Sequence, residues 1–270
     1  MFISDIDGTL LNSQGEIPKE NWDALKKLQQ EKQIVVLATG RNLYSVQKSI
    51  PKEFPMDYLI FSTGLGIMHW PTKNLIFKTI MNENLVSNTA NFLKSKGISF
   101  FLLNQLPDNH FCYEYEMKKA PDDFFRRKNN YADFILEKPI AMAYPAKISQ
   151  LIAVVEENSN LEIFNDLHFV QKIRSTSPID NKSVWIEIFE KGNSKGHATE
   201  WLCNYLSHPK NKTMSIGNDF NDTEMLDFTA ISYCVDNAPA ELKKKYSVVS
   251  SNNQGGVKEA TELFIKFFIQ

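Results

Sequence analysis

The sequence contains no apolar run approaching the roughly 18 residues that a membrane-spanning helix needs, so a membrane-embedded chain is not expected. It shows no signal-peptide pattern at its start, because Asp5 and Asp7 interrupt the first apolar stretch at once. A cytoplasmic protein is the resulting expectation. Cysteine is scarce: Cys112, Cys203 and Cys234 are scattered and odd in number. They form neither a disulfide framework nor a metal-ligand spacing, which leaves reduced thiols. A surplus of charge is missing too, with 30 Lys and Arg against 32 Asp and Glu. Nothing therefore marks a nucleic-acid or acidic-membrane surface. Internal repeats and low-complexity tracts are absent, which excludes solenoids and arrays. What remains is an ordinary globular composition over 270 residues, 43% of them hydrophobic, enough for one large domain or two modest ones.

The outer parts of the chain alternate strand-like and helix-like segments. Phe2 to Ser4 is a short apolar run, and Pro18 opens a helix with Trp22, Leu25 and Leu28 at helical spacing. Ile34 to Leu37 and Tyr58 to Phe61 read as strands buried on both faces, separated by a helical stretch from Asn42 to Ser49. Ile67 to Trp70 and Leu75 to Ile80 flank a Pro-containing turn and predict a hairpin. The last third repeats the pattern: helices at Ser194 to Leu206, Asp222 to Phe228, Pro239 to Lys245 and Val257 to Phe268, with strands at Thr213 to Ile216, Ile231 to Val235 and Ser247 to Val249. Such alternation implies an α/β fold with a doubly wound parallel sheet.

The middle reads differently. A helix carrying Leu85, Phe92 and Leu93 leads to adjacent strands at Ile98 to Leu103 and Cys112 to Met117. Helices are expected around Phe124 to Leu136 and over Ile148 to Glu157, then strands at Leu161 to Phe164, Phe169 to Ile173 and Val184 to Phe189. Paired strands with fewer helices predict an antiparallel α+β module. The expected division is 1–81 with 188–270 as the core and 82–187 as an inserted second domain.

Four short segments carry chemistry. Asp5-Ile6-Asp7-Gly8-Thr9-Leu10 puts two carboxylates where a buried strand meets a glycine. Ligands of open α/β sheets bind at the carboxyl ends of strands. A carboxylate there can attack phosphorus to give an aspartyl phosphate. A second, two residues on, can protonate the leaving oxygen and later activate water. Thr39-Gly40-Arg41 follows the second buried strand, where a hydroxyl and helix-start amides can hold a phosphate. Lys195 precedes a helix, and its ammonium can stabilise Asp5 and a transferring phosphoryl group. Gly217-Asn218-Asp219-Phe220-Asn221-Asp222 gathers hard oxygens of the kind Mg2+ prefers at another strand end. Taken singly, each also fits an ordinary turn, helix cap or solvated surface residue.

Together, and in this order, D-x-D-G-T, T-G-R, K and G-N-D-x-N-D resemble the motifs of the haloacid dehalogenase superfamily of phosphatases. The nearest resemblance is to its Cof-like branch, whose cap domain lies between the second and third motifs. Val235-Asp236-Asn237-Ala238 and Asn253-Gln254-Gly255-Gly256-Val257 resemble that branch's later segments. The resemblance implies Asp5 as nucleophile and Asp7 as general acid and base. It also implies Thr39 and Lys195 as phosphoryl holders, with Gly40 and Asn221 beside the substrate and Arg41 near its entrance. Asp5, the Asp7 carbonyl, Asn218 or Asp219, and Asp222 would serve a Mg2+ ion. The inserted domain would be a lid that selects a small phosphorylated metabolite, with a sugar phosphate as the expected class. His110, Tyr113, Tyr115, Arg126 and Arg127 are its polar candidates for substrate contact, or else a solvated face.

Two departures stand out. The family usually has Gly-Asp where this chain has Gly217-Asn218, and Asn-Gly-Ala where it has Thr63-Gly64-Leu65. The first removes a negative charge from the metal loop. Phosphatase activity is the leading expectation. A phosphomutase on the same scaffold, or a metabolite-binding protein with weakened turnover, are the alternatives. A monomer is the default, since no feature fixes an oligomeric state.

Overall fold

A computed structural model describes residues 1–138, 144–177, 179–180 and 182–269. Along the chain, β1 (Phe2–Ser4) passes through a tight turn at Ile6–Leu10 into α1 (Lys19–Gln30), β2 (Val35–Ala38), α2 (Leu43–Ser49) and β3 (Tyr58–Phe61). A hairpin of β4 (Gly66–His69) and β5 (Asn74–Lys78) follows. Next come α3 (Glu83–Ser95), β6 (Phe100–Asn104), β7 (Cys112–Tyr115), α4 (Asp122–Asn130), β8 (Ile148–Val155), β9 (Gln171–Thr176) and β10 (Val184–Phe189). The chain ends with α5 (Lys195–Tyr205), β11 (Met214–Gly217), α6 (Thr223–Phe228), β12 (Ile231–Val235), α7 (Ala240–Lys245), β13 (Ser247–Val249) and α8 (Gly256–Phe268). Contacts divide it into two compact units, Met1–Lys78 with Ser194 onward, and Thr79–Asn193.

The first unit is built on one sheet of order β13-β12-β11-β1-β2-β3-β4-β5. The strands from β13 to β3 are parallel, and β4 and β5 are antiparallel additions. Central β1 pairs Phe2, Ile3 and Ser4 with Met214, Ser215 and Ile216 on one side and with Val35, Val36 and Leu37 on the other. Alternation along the strands sends side chains to opposite faces. Ile3, Val36, Ala38 and Ile60 pack with Ala198, Leu202 and Cys203 of α5 and Met225 of α6. Phe2 meets Phe264 of α8 edge-on, with ring centroids 5.9 Å apart. Both rings are fully buried, so Phe264→Ala is expected to cost about 3–5 kcal/mol of unfolding free energy. Chemical denaturation would check it, and a loss below about 1 kcal/mol would mean the site collapses around the gap.

The second unit is an antiparallel sheet of order β7-β6-β8-β10-β9. Three local expectations are corrected here. Ile148 to Glu157 is not a helix: Ile148–Val155 is the central strand β8, between β6 and β10. Every one of its residues is buried, Ser149 and Gln150 included, so the run shows no alternation of buried and exposed positions to separate strand from helix. Leu161 to Phe164 is not a strand but part of a 3₁₀ turn, Leu161–Asp166, begun by the Asn160 side chain accepting from Glu162 N–H. The helix expected to reach Leu136 stops at Asn130, and Ala132–Phe134 is a separate 3₁₀ turn.

Helix α4 seats Phe124 on Phe101, with ring centroids 4.5 Å apart, beside Leu103, Ile152, Val154 and Trp185. Arg127 is buried within this packing rather than solvated. Its guanidinium lies 4.8 Å from the ring centroids of both Tyr131 and Trp185, a cation–π setting. Arg126 faces Asp180 at 3.1 Å. Among the described residues, no helix is long and apolar enough to cross a membrane.

Candidate active site

Strands β11, β1 and β2 lie side by side and parallel, so their carboxyl ends share one edge of the sheet. Each runs directly into a candidate residue: Asn218 after Gly217, Asp5 after Ser4, Thr39 after Ala38. The Asp5 N–H still donates to Ile216 O at 3.0 Å and the Thr39 N–H to Ile60 O at 2.9 Å, which fixes both to the sheet. Beyond Asp5 the chain turns sharply, with Gly8 at φ +72°, a left-handed conformation that glycine adopts without steric cost.

Lys195 opens α5, whose N-cap Ser194 accepts from the His197 N–H at 3.1 Å. The Lys195 ammonium donates to Asp5 Oδ1 and to Asp222 Oδ1, both at 2.7 Å, and lies 3.4 Å from Asn221 Oδ1. Lys195 and Asp222 are inaccessible to solvent, and Asp5 is 4% exposed. The other Asp222 oxygen accepts from the backbone N–H groups of Asn218 at 2.9 Å and Asp219 at 3.1 Å. That embrace depends on Gly217, where an added Cβ would stand 2.6 Å from the Asp222 carboxylate.

Burial pushes the Asp5 carboxyl up to about 8; the charges of Asp222 and Asp7 add to the shift and Lys195 opposes it. Burial also disfavours charge on Lys195, but the carboxylates of Asp222 and Asp5 outweigh it and raise the ammonium's pKa.

A model of the haloacid dehalogenase-like hydrolases matches residues 2–260. The chain belongs to that family. Two relatives from Bacillus subtilis are similar along most of their length. Phosphatase YwpJ is 24% identical, over 94% of this chain and 95% of its own. The 5-amino-6-(5-phospho-D-ribitylamino)uracil phosphatase YwtE is 26% identical, over 94% and 93%. Among solved structures, SMU.1108c of Streptococcus mutans superposes with a TM-score of 0.80 at 20% identity, covering 98% of both chains. The subclass IIB sugar phosphatase BT4131 superposes with a TM-score of 0.76 at 21% identity, over 97% of this chain and 98% of its own. These superpositions establish the fold.

The remaining candidates fall around the same edge of this hydrolase. Arg41 clamps Asp7 with both arms of its guanidinium, Nε to Oδ2 at 2.8 Å and Nη2 to Oδ1 at 2.5 Å, and also donates to Ser49 Oγ. Thr39 is buried, and its hydroxyl accepts from the Arg41 N–H at 3.0 Å. The Thr63 N–H donates to Thr39 O at 3.0 Å, with Thr63 itself at φ +56°. The Asp219 carboxylate is turned toward the Phe220 N–H at 2.8 Å, capping the next turn. Asn237, in the Val235–Ala238 segment, has a role that no local sequence pattern signals. Its amide donates to Gly8 O at 2.8 Å and accepts from the Asn252 N–H at 2.9 Å. Asn252 in turn donates to Leu11 O at 2.9 Å, so two asparagines from the last third of the chain brace the loop that follows Asp5.

Among the described residues, no three His, Cys, Asp or Glu side chains are grouped as a metal cage. The oxygens that converge are of mixed origin. The Asn218 side-chain amide reaches Asp7 O at 2.9 Å and Asp5 Oδ2 at 3.2 Å. Mg2+ holds octahedral oxygens at about 2.0–2.1 Å, which places adjacent ligands about 2.9 Å apart. With its oxygen inward, Asn218 would join Asp5 and the Asp7 carbonyl in holding such an ion. Three carboxylates, Asp5, Asp7 and Asp222, here meet two cations, Lys195 and Arg41. The local charge also suits a further cation.

Proposed function

We propose that this hydrolase is a Mg2+-dependent phosphatase of small phosphate monoesters of the sugar-phosphate class, working through an aspartyl phosphate. The observation that carries the reading is the buried Asp5–Lys195–Asp222 chain at the sheet edge. A buried lysine bridging two carboxylates can hold one of them as an oriented, ionised nucleophile. The phosphatase names of YwpJ and YwtE support the reaction, and the phosphoribityl group in the name of YwtE supports the substrate class.

In the first half-reaction an Asp5 oxygen forms a bond to phosphorus as the phosphorus–oxygen bond to the leaving group breaks. Asp7 supplies the proton that the leaving oxygen takes up. In the second half-reaction water attacks the phosphorus, Asp7 accepts its proton, and the Asp5–phosphorus bond breaks to regenerate the carboxylate. Lys195 and Thr39 would hold the phosphoryl oxygens. Mg2+ bound by Asp5, the Asp7 carbonyl and Asn218 would neutralise the phosphoryl charge. Asp222 would act through Lys195 and the loop amides it already holds. The unit Thr79–Asn193 would select the leaving group.

Arg41 would position Asp7 in this scheme, since its fork engages both carboxylate oxygens. The pair is partly open to solvent, so its loss should cost less than about 1 kcal/mol of stability. Arg41→Ala is expected to lower turnover roughly tenfold or more through a mispositioned acid, with Tm nearly unchanged. Steady-state kinetics beside a melting curve would check both.

The deciding experiment is phosphate release from a panel of phosphorylated metabolites with Mg2+, run in isotopically labelled water. Release of phosphate carrying one solvent oxygen is expected. Absence of release from every monoester, with Mg2+ or Mn2+, would overturn the reading.

A further inference from the structure

A polar trio at the start of α5 has no part in the proposed chemistry. The Ser194 hydroxyl donates to Glu224 Oε2 at 2.5 Å. His197 Nδ1 lies 2.9 Å from that hydroxyl and 3.1 Å from the same carboxylate oxygen. A carboxylate oxygen only accepts, so serine and imidazole both turn their protons toward Glu224. In a nucleophilic triad the imidazole stands between hydroxyl and carboxylate. Here the carboxylate takes the hydroxyl proton itself, and Ser194 is inaccessible to solvent. The trio is therefore a tie and not a second nucleophile.

What it ties are the two helix starts that carry Lys195 and Asp222. Ser194 caps α5, and Lys195 is the first residue of that helix. Glu224 lies in the first turn of α6, which Asp222 precedes. The two starts also meet through their backbones, since a Cβ on Gly196 would stand 2.6 Å from the Glu224 carbonyl carbon and oxygen. The boundary between the two compact units falls between Asn193 and Ser194, one residue before Lys195. The start of α5 has to be anchored within the first unit.

We infer that Glu224 and His197 are positioning residues: through Ser194 they clamp the start of α5 to the start of α6, and so fix the Lys195 ammonium between Asp5 and Asp222. Its effect on turnover rests on the phosphatase reading above. Glu224 carries the larger share, because the serine bond runs to it, while His197 orients its carboxylate. Removing Glu224 breaks the tie and leaves the helix cap, in which Ser194 accepts from the His197 N–H at 3.1 Å.

Steady-state kinetics of Glu224→Ala, Glu224→Gln, Ser194→Ala and the double variant Ser194→Ala/Glu224→Ala test the clamp, at a temperature where melting curves show each of them folded. Glu224→Ala should lower kcat roughly tenfold or more, with KM held within about twofold, because phosphoryl transfer depends on where the ammonium stands. Glu224→Gln should recover most of that loss, since its amide oxygen still accepts from the serine hydroxyl. The double variant should be no slower than Ser194→Ala alone, since both changes break the same bond. A contact that only stabilises would lower the melting temperature and leave kcat of the folded protein unchanged. That result, or losses that add in the double variant, would overturn the clamp.

The isotope-labelled ammonium of Lys195, assigned by its disappearance in Lys195→Arg, gives a readout without substrate. Its resonance should shift and its hydrogen exchange quicken in Glu224→Ala, and both should stay near wild type in Glu224→Gln. An identical signal in all three proteins would overturn the inference. If the signal responds while no monoester is hydrolysed, the phosphatase reading falls and the clamp stands. If Glu224→Ala turns over at the wild-type rate with its signal unmoved, the clamp alone falls.

Discussion

Asp5→Asn is expected to abolish phosphate release while leaving the protein at least as stable as wild type. The two halves of that result have separate causes. An amide cannot form the acyl phosphate on which the reaction would depend, so a fall of roughly ten-thousandfold is expected, about 5.4 kcal/mol of barrier. Stability should move the other way. The carboxyl of Asp5 is pushed up to about 8, first by burial and then by Asp222 and Asp7. Holding that group ionised therefore costs the fold, and a neutral amide of the same shape removes the cost. Lys195 keeps Asp222 as a partner at 2.7 Å, so no cation is stranded. Parallel assays of released phosphate and melting temperature would check both halves. Activity that survives with a native melting curve would show that another group is the nucleophile.

Lys195→Met should have a large effect of the opposite kind. It leaves Asp5 and Asp222 buried without the ammonium that joins them. Breaking a buried pair by removing one partner typically costs about 3–5 kcal/mol, which corresponds to roughly 6–20 °C in Tm for a domain of this size class. Turnover should be lost as well. Adding Asp5→Asn to Lys195→Met should recover part of the stability, because one of the two stranded carboxylates is gone, while activity stays absent. The double-mutant cycle separates the electrostatic coupling from simple loss of packing. Additive losses in the two variants would place the role of Lys195 in packing alone.

The sheet and the four chemical segments were legible in the sequence for a common reason. Buried parallel strands are short, unbroken apolar runs, and each polar cluster that follows one must lie at the carboxyl edge. Asp5, Thr39 and Asn218 are positioned by that rule before any contact is known. Strand β8 was not legible, because a central strand buried on both faces lacks the alternation that marks a half-buried one. The turn at Leu161–Asp166 was misread because its apolar residues mask the capping done by Asn160. Pairings were the other blind spot. Nothing in the pattern around Arg41 says that it grips Asp7, and nothing around Asn237 says that it holds the carbonyl of Gly8. Such contacts join side chains from separate loops and leave no local periodicity. The Asn218 substitution was visible as a missing charge, but the close approach of its side chain to Asp5 and Asp7 could be seen only in three dimensions.

The place of β1 has a consequence for how the protein is made. It sits between β2 and β11, and β11 follows it by about 210 residues. At about 5–20 residues per second of translation, that separation is roughly 10–40 s. For all that time a nascent chain on the ribosome holds a bare strand edge, open to pairing with a stranger. Asp5 is translated early, but Lys195 and Asn218 emerge late. Truncated products should carry Asp5 without the partners it needs, and a cell short of chaperones should lose this protein as aggregate before it loses it as a folded, inactive form.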